Sequence, residues 1–122
     1  VSDSLHILVL CYEYPPVGGG GGVGARQYAE AWAAAGHRVT VLTSGTPDLP
    51  VEERTGNLRV VRLRVSGRKE RATATNRAML GYLLAGAAWI VSNRQTMAEI
   101  DVINTHFAIP TGPLGVFASH VL

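Results

Sequence analysis

Residues 5–24, LHILVLCYEYPPVGGGGGVG, constrain this chain more than any other stretch. A continuous apolar run over residues 5–11 ends in an aromatic and proline corner, and five consecutive glycines, Gly18 to Gly22, follow. After Val23-Gly24 a helical pattern begins at Ala25. Strand, glycine loop and helix in that order leave backbone N–H groups bare at a helix N-terminus. There the helix dipole favours an anion, usually a phosphate. Glycine suits such a loop because a Cβ would hold the ligand off and because the backbone there visits positive φ. The plainer reading is a flexible surface loop. Five adjacent glycines are entropically costly, which favours the phosphate-facing role.

The rest of the chain has the rhythm of an α/β domain. Residues 5–11 are apolar on both faces, as in a central parallel strand covered by helices on each side. His6 interrupts the run near its start and is expected at a strand end near solvent. Residues 25–35 follow as a helix. Ala25, Tyr28, Ala29, Trp32 and Ala35 form one stripe, and Arg26, Gln27 and Glu30 share the other side. Gly36 fits the position after the helix, and His37 and Arg38 place positive charge at its negative end. Residues 38–43 are β-branched and make a second strand, parallel to the first by the right-handed crossover rule.

A loop over 44–50 carries Gly45, Pro47 and Pro50. Residues 51–55 and 58–65 flank Gly56-Asn57 and predict a small hairpin. In its second arm Leu58, Val60, Leu63 and Val65 are interleaved with Arg59, Arg62 and Arg64. A long helix is expected over 75–97, with Leu80, Leu83, Leu84, Ala87 and Val91 as its core face and Tyr82, Ala85 and Trp89 off that stripe. Its apolar run, 78–91, is shorter than the ~20 residues a bilayer span needs. Residues 101–105 form another strand ending at His106-Phe107, and an apolar segment over 113–122 opens a further helix. The fold class is therefore α/β, a Rossmann-like open parallel sheet with helices on both faces. About three parallel strands can be counted where such sheets hold about five or six. Residues 1–122 then read as the front part of a longer, truncated domain.

Composition narrows the chemistry. With 47% hydrophobic and 16% charged residues the chain is globular rather than disordered. Its one cysteine, Cys11, excludes an internal disulfide and a cysteine-based zinc site, and its apolar strand makes it a buried structural thiol. The start, VSDSLH, lacks the basic region and cleavage site of a signal peptide, so a cytoplasmic chain is expected. Between Arg59 and Arg77 lie seven of the eleven positive side chains and one acid, Glu70. This stretch is read as a solvated face. Next to a helix that is greasy on two sides, it has a second reading as a peripheral contact with anionic membrane at the inner face. Without interleaved exposed aromatics or a recognisable module, no nucleic-acid partner is expected.

Gly19-x-Gly21-x-x-Gly24 matches the dinucleotide fingerprint, but inside a glycine run such a match is nearly automatic. Seven residues, 12–18, stand between the strand and Gly19, where the fingerprint wants the turn at once. The second strand ends in Thr43-Ser44, with no acid to hold a ribose hydroxyl, and Asp48 lies too far into the loop. No Gly-Lys-Ser/Thr follows the glycines, so a Walker A loop is absent. What remains is a phosphate-facing loop without a standard nucleotide grip.

The stretch HILVLCYEYPPVGGGGGVGARQYAEAWAAAGHRVTVLTS resembles the opening of the family-4, group 1 retaining glycosyltransferases, the glycogen-synthase-like enzymes of GT-B architecture. The resemblance resumes at DVINTHFAIPTGPLG, while residues 46–99 match only in character. It implies two Rossmann-like domains facing a cleft. The N-terminal one mainly holds the acceptor, and the C-terminal one, absent here, grips the sugar nucleotide. It further implies that the first glycine loop approaches the donor diphosphate, at Gly20, Gly21, Gly22 and Val23, and that the histidine after the later strand, His106, contacts the transferred sugar. Backbone donors aimed at the departing diphosphate would stabilise developing charge, and no metal or cofactor is expected beyond the nucleotide-sugar co-substrate. The family's paired glutamates and phosphate clamp belong to the second domain, so this chain alone is expected to be inactive. The expected activity is sugar transfer with retention in glycan, lipid-linked saccharide or cell-envelope biosynthesis. The alternatives are a freestanding phosphate-binding module completed by a partner chain and an NAD(P)-binding oxidoreductase fragment. The plainer readings are a local backbone cap for His106, a solvated carboxylate for Glu13, and surface positions for Arg26 and His120.

Overall fold

The computed structural model describes residues 4–16, 20–64, 76–106 and 111–121. Strands β1 (His6–Cys11), β2 (Arg38–Gly45), β3 (Glu52–Thr55), β4 (Leu58–Arg64) and β5 (Val102–His106) form one sheet in the order β3-β4-β2-β1-β5. Helices α1 (Gly20–Ala34), α2 (Asn76–Ser92), α3 (Arg94–Ala98) and α4 (Thr111–Val121) complete the order. β1 pairs in parallel with β2 and with β5, β2 in parallel with β4, and among the described strands only β3 runs antiparallel, against β4. The expected α/β sheet is present.

The strand period of two divides the core. Ile7, Val9 and Cys11 of β1 pack with Val39, Val41 and Val60 under Ala25 and Ala29 of α1. Leu8 and Leu10 point the other way, with Leu42 and Val61, toward α2 and α4. Every residue of β1 is buried, as a strand covered on both faces requires. Cys11 is buried as expected, and burial raises its thiol pKa to about 12.

The hairpin forms around Gly56, whose φ of 58° is the left-handed geometry that its turn requires. Its second arm does more than pair locally. β4 lies parallel to β2 as a full member of the sheet, because Val60 and Val61 supply apolar side chains to opposite faces. Four of the described strands are therefore parallel, one more than the sequence suggested.

Four further expectations are corrected. His6 is not near solvent. It is 5% exposed, with its ring Nε2 2.9 Å from Thr40 Oγ1 and its N–H donating to Asp101 Oδ2 at 2.8 Å. Helix α1 begins at Gly20, five residues before Ala25, and Tyr28 stands 56% exposed instead of facing the core. The long second helix breaks at Asn93, whose N–H and side-chain Nδ2 both bond to the Trp89 carbonyl, and resumes as α3.

The core face of α2 is also rotated: of the expected residues Leu83 and Ala87 pack against the core, while Leu80, Leu84 and Val91 do not. Tyr82 is fully buried, donates its hydroxyl to the Leu42 carbonyl at 2.8 Å, and meets the ring of Tyr12 edge-on at 5.6 Å. That bond and the aromatic contact outweigh the leucines, so Leu80, Leu84 and Val91 face outward at 57%, 66% and 44% exposure. Gly86 sits against Leu114, where a Cβ would come within 2.7 Å of Leu114 Cδ2, so α2 and α4 touch closely. Among the described residues no helix is long and apolar enough to cross a membrane.

Candidate functional site

The sheet order places β1 between β2 and β5, so the chain leaves β1 toward one side and returns later on the other. Ligands of open parallel sheets bind at such a switch, beyond the C-terminal ends of the strands. The first turn of α1 and the end of β5 both lie at that edge, which brings Gly20, Gly21, Gly22, Val23 and His106 to one end of the sheet. Gly18 and Gly19 lie outside the described residues.

The first four predicted residues are not a loop. They form the opening turn of α1, where the N–H groups of Gly20, Gly21 and Gly22 are among those a helix leaves without intrahelical acceptors. Gly22 has a second role there. A Cβ on it would lie 3.0 Å from the carbonyl carbon and oxygen of Glu13 and 3.2 Å from the nitrogen of Tyr14. The helix start is thus pressed directly onto the backbone that follows β1.

That corner is fixed from below. Tyr12 is buried, and its carbonyl accepts the Ser44 hydroxyl of β2. Tyr14 is 4% exposed, and burial raises its hydroxyl to about 12. Arg62 of β4 is 4% exposed, pairs with Glu53 and donates from Nη2 to the Pro15 carbonyl at 3.1 Å. Sequence reasoning placed Arg62 on a solvated face. The available signal was parity, because Arg62 shares the side of β4 that buries Val60.

The other arginines of β4 are also occupied. Arg59 pairs with Glu52 at 3.0 Å and lies 5.7 Å from the Trp89 ring centroid, and Arg64 donates to the Leu49 carbonyl. Glu52, held by Arg59 and Arg54, has its carboxyl pKa lowered. Arg77 is exposed, and Arg68, Lys69 and Arg71 lie outside the described residues.

His106 closes β5 opposite Cys11, and its side chain therefore projects on the α1 side of the sheet. Its ring centroid lies 6.0 Å from that of Tyr28, and Tyr28 stacks on Trp32 at 5.6 Å. Burial lowers the His106 pKa, which keeps the imidazole neutral near pH 7, able to donate from one nitrogen and accept at the other. Phe107 lies outside the described residues. Beside the corner, a groove of about 330 Å³ runs between α1 and the hairpin, lined by Tyr14, Pro15, Arg26, Glu30, Glu53 and Arg62. Arg26 pairs with Glu30 across one helical turn at 3.5 Å, and His120 is exposed on α4. Both match their plainer, surface readings.

The model of the glycosyl transferase 4-like domain matches residues 19–121. The chain belongs to the glycosyl transferase 4-like family. Comparison with curated proteins gives no match. Among solved structures, this glycosyl transferase 4-like domain is similar to sucrose-phosphate synthase from Thermosynechococcus elongatus. The TM-score is 0.62 at 21% identity over 95% of this chain. It spans 29% of that synthase chain. A second structure of sucrose-phosphate synthase from Thermosynechococcus elongatus matches with a TM-score of 0.53 at 16% identity, over 95% of this chain and 70% of the other. These likenesses are likenesses of fold.

Proposed function

We propose that this chain is the acceptor-side N-terminal part of a glycosyltransferase that moves a sugar from a nucleotide-sugar donor to an acceptor, with retention at the sugar carbon. The observation that carries the reading is the meeting of the α1 start and His106 at one edge of the sheet, in a member of a glycosyltransferase family. The bond that breaks joins the anomeric carbon to a phosphate oxygen, and negative charge collects on the leaving diphosphate. The N–H groups of Gly20, Gly21 and Gly22, with Val23 closing the same turn, suit that charge at the positive end of the α1 dipole. A neutral His106 suits a sugar hydroxyl, as donor or acceptor. No step in this scheme requires a metal.

The acceptor fits the groove beside the corner. Pro15 stands on its wall, and the exposed Arg26–Glu30 pair and the half-exposed Glu53 carboxylate offer charged donors and acceptors to several hydroxyls. A second domain would supply the donor grip, and the reaction would run on the cytoplasmic side in building glycans or envelope saccharides. The solved neighbour's name adds sugar phosphates to the acceptors worth trying.

Calorimetric titration of the full-length protein carrying this chain tests the reading, with UDP-, GDP- and ADP-sugars set against NAD. Saturable binding of one sugar nucleotide, and transfer that fails in Gly21→Val while the fold survives, is the expected result. A selective response to NAD would overturn it, as would wild-type turnover by Gly21→Val.

A further inference from the structure

The helix with the strongest leucine stripe turns that stripe away from the sheet. Leu80 and Leu84 stand one turn apart and Val91 two turns further on, all at the outer surface of α2. In the same layer α4, which meets α2 at Gly86 and Leu114, exposes Val116 at 61% and Phe117 at 38%. Isolated exposed apolar residues are ordinary on a protein surface, but a continuous outward stripe on one helix beside another pair on its neighbour marks an interaction surface.

The charge around these residues indicates the partner. Residues 71–98 contain no Asp or Glu, and neither do residues 102–122. The helical layer therefore carries Arg77, Arg94 and His120 without one acid on α2, α3 or α4. Of the acids flanking this layer in sequence, Glu99 pairs with Arg38 and Asp101 accepts the His6 N–H, while Glu70 lies outside the described residues. A second copy packed through the same stripe would bring cations toward cations with no carboxylate to meet them. An anionic bilayer offers both complements at once, acyl chains for the leucines and headgroups for the arginines.

We propose that the outer face of α2, continued by α4, is a peripheral docking surface for anionic lipid. The surface lies on the face of the sheet opposite α1, so a bound membrane leaves the α1 side and His106 uncovered. The proposal does not rest on the donor chemistry, and a membrane result leaves the sugar-nucleotide titration unaffected.

Co-sedimentation of the full-length protein with vesicles tests it, using phosphatidylcholine alone and phosphatidylcholine with about one third phosphatidylglycerol. Binding is expected to the mixed vesicles only, and to weaken as salt rises. Leu84→Glu, a change at an exposed position, is expected to lower the partition about tenfold or more while the melting curve is unchanged. Arg77→Glu should weaken the same binding and leave sugar-nucleotide affinity as it was. Equal partition of wild type and Leu84→Glu would overturn the proposal, and so would absence of binding to the mixed vesicles. Concentration-dependent dimerisation abolished by Leu84→Glu, without vesicle binding, would assign the face to a second copy and overturn it as well.

Discussion

The ring of Tyr28, on α1, lies 6.0 Å from that of His106, at the end of β5, tilted by 37°. Two residues from opposite ends of the chain thus share one edge of the sheet, and Trp32 extends the contact along the helix. If His106 touches the transferred sugar, His106→Ala should lower kcat of the full-length enzyme about a hundredfold, the scale of one lost transition-state hydrogen bond. Tyr28→Ala should act through His106 and cost less, about tenfold. Initial-rate kinetics on both variants check the order, and an unaffected His106→Ala would remove the histidine from the site.

Arg62 ties β4 to the corner after β1, through Glu53 on one side and the Pro15 carbonyl on the other. Arg62→Met keeps the apolar stem and removes the donors. It should destabilise the fold by about 2 kcal/mol, the range for hydrogen bonds to a charged group, and should raise KM for the acceptor by loosening the groove. Urea melts and acceptor titrations read the two effects separately.

Gly22→Ala places a methyl 3.0 Å from the Glu13 carbonyl, backbone that has no flexible end to yield. A loss of about 1–3 kcal/mol is expected, as for overpacking elsewhere. At Gly24, where a Cβ would meet nothing within 4 Å, the same change should be tolerated. The pair of variants, compared by thermal melting, separates the close approach from helix propensity.

His6 gives a pH dependence with a definite sign. Burial first, then the nearby Arg38, lowers its pKa from the ordinary 6.5. The unfolded chain takes up its proton at a higher pH than the folded one. The contribution of His6 is therefore complete above about 6.5 and is lost as pH falls through the lowered folded pKa. His6→Gln should flatten the fall in stability between about pH 7 and pH 5, measured by chemical denaturation at each pH.

The fold was legible where a local pattern and its burial agree. The apolar run of β1, the turn at Gly56-Asn57 and the alanines of α1 each specify one arrangement, and the sheet follows from them. The strand end at His106 and the helix after the glycines were legible one by one, while the sheet order that brings them to one end, with β1 between β2 and β5, was not. What failed depends on partners distant in sequence. Tyr82 wins the interior of α2 because the Leu42 carbonyl waits there, and periodicity on α2 alone favours its leucines. His6 is buried because Thr40 and Asp101 offer it bonds, and Arg62 because Glu53 and Pro15 do. A run of glycines carries no side-chain pattern, so the start of α1 at Gly20 could not be read from periodicity.

The contact of Gly22 with the backbone of Glu13 and Tyr14 bears on how a cleft built on this domain would close. Without a side chain between them, the opening turn of α1 and the corner after β1 move as one body, anchored through β1 to the middle of the sheet. This wall of the cleft is then an anvil and not a flap. With a donor at the place we propose, closure over it would come from whatever faces this wall, and the first-turn amides of α1 would stand at their posts before it arrived.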